Sequence, residues 1–92
     1  MQKEIEVNIK GRVQMVMFRD FARRYAKRLE LTGVVKNLGD GSVRVVAQGD
    51  EDKLNKFIEL LKKGPTFAKV SDIDVKWMEI KEKFTDFKII WT

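Results

Sequence analysis

The first thirty residues show two hydrophobic periods, one after the other. From Glu4 to Lys10 apolar and polar residues alternate, which predicts a strand with one buried face. A different period starts at Phe18, where apolar residues recur every three or four positions: Phe18, Phe21, Ala22, Tyr25, Ala26 and Leu29. This period predicts an amphipathic helix, and we expect Gly33 to stop it.

Two short valine-rich runs follow, at residues 34–35 and 43–46. They flank Gly39-Asp40-Gly41, whose residues are expected to supply the positive φ angles of a tight turn. The segment therefore predicts an antiparallel hairpin that continues the sheet begun by the first strand.

The second half of the chain predicts one more helix and two more strands. Asp50 is a candidate N-cap, the apolar positions Leu54, Phe57, Ile58 and Leu61 share one helix face, and Gly64-Pro65 ends the helix. Apolar residues between positions 70 and 77 predict a long strand with an irregularity near its start, and residues 84–91 predict a shorter last strand.

The order of these elements predicts an α+β fold. Strand, helix, strand, strand, helix and strand make up the ferredoxin-like βαββαβ sandwich, an antiparallel sheet with two helices on one face, here with an extra C-terminal strand. At 92 residues the chain has room for a single domain, and we assign residues 1–92 to it.

Composition narrows the possible chemistry. The chain contains no cysteine and no histidine, so thiolate nucleophiles and imidazole bases are excluded and no metal site or cofactor is expected. The formal net charge of +5 favours an anionic partner without choosing among nucleic acid, a membrane surface and a small phosphorylated substrate. No apolar run approaches the roughly 20 residues of a membrane helix, so we expect a cytoplasmic protein without a membrane segment.

A candidate anion site lies between the first strand and the first helix. The segment from Gly11 leads into the helix N-terminus, where free N–H groups bind anions readily. Arg19 lies in the first helical turn, where its positive charge is unfavourable beside the positive end of the helix dipole. Its presence there therefore indicates a functional role. It can close over a phosphate as a planar, bidentate ligand, although a solvated surface arginine is the simpler alternative.

Two motifs resemble those of the acylphosphatase family. GRVQMVMFR at 11–19 is similar to the family loop G-x-V-Q-G-V-x-F-R, and GVVKNLGDGSVRVVAQG at 33–49 is similar to its second signature. The resemblance implies a hydrolase of the carboxyl-phosphate bond of small acyl phosphates, an acylphosphatase acting without metal or covalent intermediate. It implies that Arg19 binds the phosphoryl group, that Asn37 orients the attacking water, and that the phosphate-binding loop comprises Gln14, Met15, Val16, Met17 and Phe18.

The loop departs from the family pattern at Met15, where glycine is usual. Methionine disfavours both a positive φ and a close backbone approach, so this position bears on turnover more than on fold. We expect the loop to keep its shape, anchored by Val13, Val16 and Phe18, with the Met15 side chain tucked against the neighbouring surface.

Binding modules of the same fold are the alternative. A catalytically silent relative would bind phosphate, nucleic acid or a protein partner. RNA-binding sheets of this kind stack bases on aromatics, which the first and third strands lack, and the basic positions Arg23, Arg24, Lys27 and Arg28 are more simply a solvated helix face. Nucleic acid is therefore not expected as a partner, and we expect a monomer. The paired carboxylates Asp72 and Asp74 could suggest a metal site or acid–base chemistry, but their position on a strand edge explains them more simply.

Overall fold

The computed structural model describes residues 1–91, so Thr92, the last residue of the predicted domain, lies outside the described residues. The elements follow the predicted order: β1 Gln2–Arg12, α1 Phe18–Arg28, β2 Thr32–Asn37, β3 Val43–Asp50, α2 Glu51–Lys63, β4 Lys69–Met78 and β5 Phe87–Ile90. Among the described residues, no helix is both long enough and apolar enough to cross a membrane.

The five strands form one sheet in the order β4-β1-β3-β2-β5. The first four strands pair antiparallel, as the ferredoxin-like pattern requires. β5 adds to the edge of β2 in parallel, with Gly33 opposite Phe87 and Lys36 opposite Ile90. The predicted fold class is confirmed, and the parallel pairing of the extra strand is a detail that the sequence did not indicate.

The core lies between one sheet face and the two helices. The apolar side of β1 is fully buried, at Ile5, Val7 and Ile9, and the buried residues of α1 and α2 join the same cluster. The alternation of β1 and the three- and four-residue period of α1 therefore bury the residues that they predict. This packing fixes the N-terminus of α1 above the end of the sheet where β1 leaves it.

Glu30, and not Gly33, ends α1. Glu30 takes the left-handed conformation, with φ 59°, and the N–H of Leu31 donates to the carbonyl of Ala26. Gly33 instead belongs to β2, where a Cβ atom would meet the carbonyl oxygen of Val46 at 1.8 Å. The prediction of Gly33 as a helix stop is wrong, because the glycine serves a close approach between strands.

The β2–β3 turn also differs in detail from the prediction. Only Gly41 has a positive φ, of 92°, whereas Gly39 and Asp40 do not. Asp40 acts through its side chain: its Oδ1 accepts hydrogen bonds from the Ser42 N–H at 3.0 Å and the Ser42 hydroxyl at 2.5 Å. These hydrogen bonds hold the pKa of Asp40 below its ordinary value.

The other boundaries agree with the predictions to within a few residues. β4 has its irregularity near the start, where the register with β1 shifts between Lys10 and Gly11. The last strand is shorter than the predicted 84–91, since β5 begins at Phe87 and Phe84 lies in the preceding loop. Asp50 occupies the N-cap of α2, although its side chain makes no capping hydrogen bond there.

Candidate active site

The segment from Val13 to Met17 connects β1 to α1 and forms one wall of a pocket. Val13 and Phe18 are buried and Val16 packs against the core, so the loop is anchored by the three residues predicted to anchor it. Met15 and Met17 both have left-handed backbones, with φ 61° and 64°. Left-handed residues in a turn are typical of the backbone concavities called nests, in which successive N–H groups bind an anion.

The N–H groups of this loop are open to a ligand. None of the turn, loop and cap hydrogen bonds between backbone groups of residues 1–91 has a donor in 14–18. Met17 is the N-cap of α1, so the first N–H groups of the helix also lack partners within the helix. Two sources of unpaired donors therefore meet where the loop becomes the helix, and both favour an anion.

Arg19 lies in the first turn of α1, as predicted. None of the ion pairs recorded within residues 1–91 includes it. Its guanidinium carbon instead lies 4.2 Å from the centroid of the Trp91 ring. The ring attracts and orients the cation without neutralising its charge, so this contact leaves the charge of Arg19 available to a ligand.

Asn37, the last residue of β2, lines the same pocket as Arg19. The pocket has a volume of about 430 Å³ and is lined by Val13, Met15, Met17, Phe18, Arg19, Asp20, Asn37 and Trp91. The Oδ1 atom of Asn37 is buried and has no hydrogen-bond partner among residues 1–91. A buried amide oxygen without a protein partner is a group that a bound water can satisfy.

Gln14 ties the loop to the turn that follows Asn37. Its Nε2 donates to the carbonyl oxygens of Leu38 and Ser42 at 2.8 and 2.9 Å. The side chain therefore points away from the pocket and fixes the distance between the loop and the end of β2. Gln14 and Val16, two of the predicted loop residues, contribute no side chain to the pocket, whereas Met15, Met17, Phe18, Arg19 and Asn37 all do.

The structure corrects the expectation for the Met15 side chain, which does not pack against the neighbouring surface. It is 99% exposed, although its backbone carries the left-handed strain. Sequence reasoning also missed Met17 as a second left-handed residue and Trp91 as a neighbour of Arg19. An aromatic residue at the end of the predicted last strand was the only signal for Trp91, and it did not indicate a partner.

The remaining candidates from the sequence lie outside this pocket. Asp72 and Asp74 are exposed on β4. On the basic face of α1, Arg23 and Arg24 both pair with Asp20, at 3.3 and 3.0 Å. Further along the helix, Lys27 pairs with Asp86 and Arg28 lies over the Tyr25 ring. This face is therefore largely paired within the chain, as expected for a solvated helix surface.

The family model, the curated relatives reported below and one solved structure point to the same family. The acylphosphatase family model matches residues 5–89. The acylphosphatase of Salinibacter ruber is 44% identical over 88 residues, which are 96% of this chain and 93% of that protein. That of Dehalococcoides mccartyi strain CBDB1 is 48% identical over 82 residues, 88% of this chain and 90% of that protein. The crystal structure of acylphosphatase from Bacillus subtilis superposes with a TM-score of 0.94 at 38% identity, covering 99% of this chain and 100% of that one.

Proposed function

Because this chain belongs to the acylphosphatase family and hydrolyses the carboxyl-phosphate bond of acyl phosphates, we propose that Arg19 and Asn37 carry the reaction. Arg19 binds the phosphoryl group together with the N–H groups of the loop, and Asn37 orients the attacking water. One observation carries the proposal: within residues 1–91 Arg19 has no ion-pair partner and the Asn37 Oδ1 has no hydrogen-bond partner, and both residues line the same pocket at a helix N-terminus.

Arg19 supplies charge where the transition state needs it. Phosphoryl transfer spreads negative charge over the equatorial phosphate oxygens, so fixed donors around those oxygens lower the barrier. A guanidinium can donate two parallel hydrogen bonds to a phosphate, and the Trp91 ring restricts its position before substrate arrives. The loop N–H groups add donors that need no reorganisation during the reaction.

Asn37 acts on the nucleophile. Its amide accepts one hydrogen bond and donates two, so it can hold a water without changing protonation state. The hydrogen bonds from Gln14 to the carbonyls of Leu38 and Ser42 keep the end of β2 at a fixed distance from the loop. The water is thereby held in line with the bond that breaks, which is the positioning contribution to catalysis.

The chemical step needs no group beyond these. The water oxygen attacks phosphorus, and the bond from phosphorus to the acyl oxygen breaks, so its electron pair leaves with the carboxylate. The proton of the water passes to a phosphate oxygen of the substrate. A carboxylate is a good leaving group, so the step does not require a histidine or another general acid, and the products are a carboxylate and inorganic phosphate.

The binding-module alternative gains no support from the basic face of α1. A nucleic-acid footprint on α1 would need free basic side chains, yet Arg23 and Arg24 share Asp20 as a partner. A catalytically silent relative would bind phosphate in the same kind of pocket, so the measured turnover of an acyl phosphate distinguishes such a relative from the enzyme. A monomeric, cytoplasmic protein without a metal or cofactor stays a prediction.

Hydrolysis of benzoyl phosphate by the purified protein, with a chelator present, tests the proposal. Arg19→Ala and Asn37→Ala should each lower kcat/KM by about 10² to 10³, or roughly 2.7 to 4 kcal/mol of transition-state stabilisation. Arg28→Ala is the matched control, because Arg28 is exposed on the same helix at its far end and should leave the rate unchanged. A wild-type rate in Arg19→Ala, or a rate that returns only with added divalent cation, would contradict the proposal.

A further inference from the structure

Three large apolar side chains at the pocket of Arg19 and Asn37 are exposed to water. Met15 is 99% exposed, and Met17 and Trp91 are each 71% exposed. All three line the pocket together with Arg19 and Asn37. We call Met15, Met17 and Trp91 the apolar rim. A cluster of exposed apolar side chains beside polar groups is typical of a binding surface, whereas single exposed apolar residues are common anywhere on a protein.

The two methionines of the apolar rim have a conformation that their own packing does not explain. A left-handed backbone costs a residue with a Cβ atom about 1 to 2 kcal/mol. Both methionines take this conformation, and neither offsets its free-energy cost by burying its side chain in the core. Met15, moreover, stands where the family loop usually has glycine, so a smaller and unstrained residue is compatible with the loop. A contact with a bound ligand, which the free protein lacks, would give these exposed side chains a role.

The third member of the apolar rim is fixed in place by Arg19. The guanidinium carbon lies 4.2 Å from the centroid of the Trp91 ring, which sets the ring beside the phosphate-binding cation. Because the ring is still largely exposed, much of its surface is open to a second contact. An aromatic ring prefers an offset or edge-on aromatic partner, and methionine adapts to irregular apolar shapes.

An acyl phosphate has two ends that match the two parts of this pocket. Its phosphate is the anion for Arg19 and the loop N–H groups, and its acyl group must then extend from the phosphate toward the pocket mouth. We propose that the apolar rim binds the acyl group and makes the enzyme prefer acyl phosphates with large apolar acyl groups over acetyl phosphate. This inference rests on the proposed function and adds the substrate class to it.

The selectivity between two substrates measures the proposed contact. kcat/KM is determined for benzoyl phosphate and acetyl phosphate, and their ratio is compared between the wild type and the double variant Met15→Asn, Met17→Asn. Asparagine tolerates a left-handed backbone, so the loop can keep its shape while the rim becomes polar. We expect the ratio to fall by about three- to tenfold, which corresponds to about 0.7 to 1.4 kcal/mol.

Phe67→Asn is the matched control, since Phe67 is a large apolar residue that is 78% exposed and does not line this pocket. The control should keep the wild-type ratio. A loop that relaxes in the double variant would lower both rates alike and leave the ratio unchanged, and that result overturns the role of the apolar rim.

Arg19→Ala separates this inference from the proposed function. It should lower kcat/KM for both substrates by a similar factor, because the phosphate is common to both. If Arg19→Ala is inactive and the double variant keeps the wild-type ratio, the proposed role of the apolar rim is wrong and the proposed function stands. If Arg19→Ala retains the wild-type rate, the proposed function is wrong and the inference falls with it.

Discussion

Replacing Met15 with glycine changes a residue whose backbone is left-handed and whose side chain is in water. The φ angle of Met15 is 61°, and its side chain is 99% exposed. The substitution therefore removes strain without removing a core contact. Glycine adopts this φ without a steric penalty, so the same loop shape should persist in the variant.

The expected change in stability is the difference between two terms. Strain relief contributes about 1 to 2 kcal/mol. The greater freedom of glycine in the unfolded chain costs about 0.4 to 1 kcal/mol. Met15→Gly should consequently be more stable by about 0 to 1.6 kcal/mol, and each kcal/mol raises Tm by roughly 4 to 8 °C in a domain of this size. Because we propose that the natural loop already binds phosphate in this shape, kcat/KM should change by less than about tenfold, or 1.4 kcal/mol.

Urea denaturation and hydrolysis of benzoyl phosphate provide the two measurements. Phe67→Gly is the control for stability, because Phe67 is also exposed and its φ is not left-handed. That variant should be destabilised by about 0.4 to 1 kcal/mol, since it adds unfolded-state freedom and relieves no strain. Opposite signs in the two variants isolate the contribution of the left-handed backbone.

Two results would refute the reasoning about Met15. Destabilisation of Met15→Gly by about 1 kcal/mol or more would show that methionine is not strained in the native loop. A gain of a hundredfold or more in kcat/KM would show that the natural loop is misformed, and would favour a binding module or a degenerate relative over an efficient enzyme.

Three further predictions concern the surroundings of the site. The rate profile should show no enzyme group titrating near pH 6.5, because the chain has no histidine or cysteine, and a steep limb there that is independent of substrate ionisation would contradict this. Gln14→Ala should lower the free energy of unfolding by roughly 1 to 3 kcal/mol in urea denaturation, because it removes two hydrogen bonds to the β2–β3 turn, and should reduce kcat more than it weakens phosphate inhibition. The lowered pKa of Asp40 stabilises the fold above its ordinary value of 3.8, and this stabilisation is lost as pH falls through the lower, folded-state pKa. Asp40→Asn should accordingly lose less stability than the wild type on acidification, measured by thermal unfolding between neutral pH and pH 2.

Periodicity was sufficient to predict most of the fold, because the pattern of burial is local to each element. The alternation around Ile5 and the helical spacing from Phe18 both reflect one face turned to a common core. The motif placed Arg19 and Asn37, which the structure brings to one pocket from a helix and a strand end that are 18 positions apart. Neither hydrophobic periodicity nor charge alone predicts that these two residues line the same pocket.

The features that sequence reasoning missed depend on contacts between distant segments. Gly33 is needed because the carbonyl of Val46, on the neighbouring strand β3, lies against it, and only the register of the strands shows this approach. Glu30 takes the helix-ending position usually given to glycine, and its side chain pairs with Lys53 on α2. Trp91 reaches Arg19 because β5 joins the sheet beside β2, in a parallel pairing that hydrophobic patterns do not encode.

The inhibition constant of inorganic phosphate, measured against acyl phosphate hydrolysis in three proteins, tests the division of roles between Arg19 and Asn37 most directly. Arg19→Ala should raise this constant by about 10- to 100-fold, because it removes charged hydrogen bonds of roughly 1.5 to 3 kcal/mol from the bound anion. Asn37→Ala should leave the constant close to that of the wild type while kcat falls, since in the proposed mechanism Asn37 holds the water and not the phosphate. Equal inhibition constants in the wild type and Arg19→Ala would contradict the account and remove Arg19 from phosphate binding.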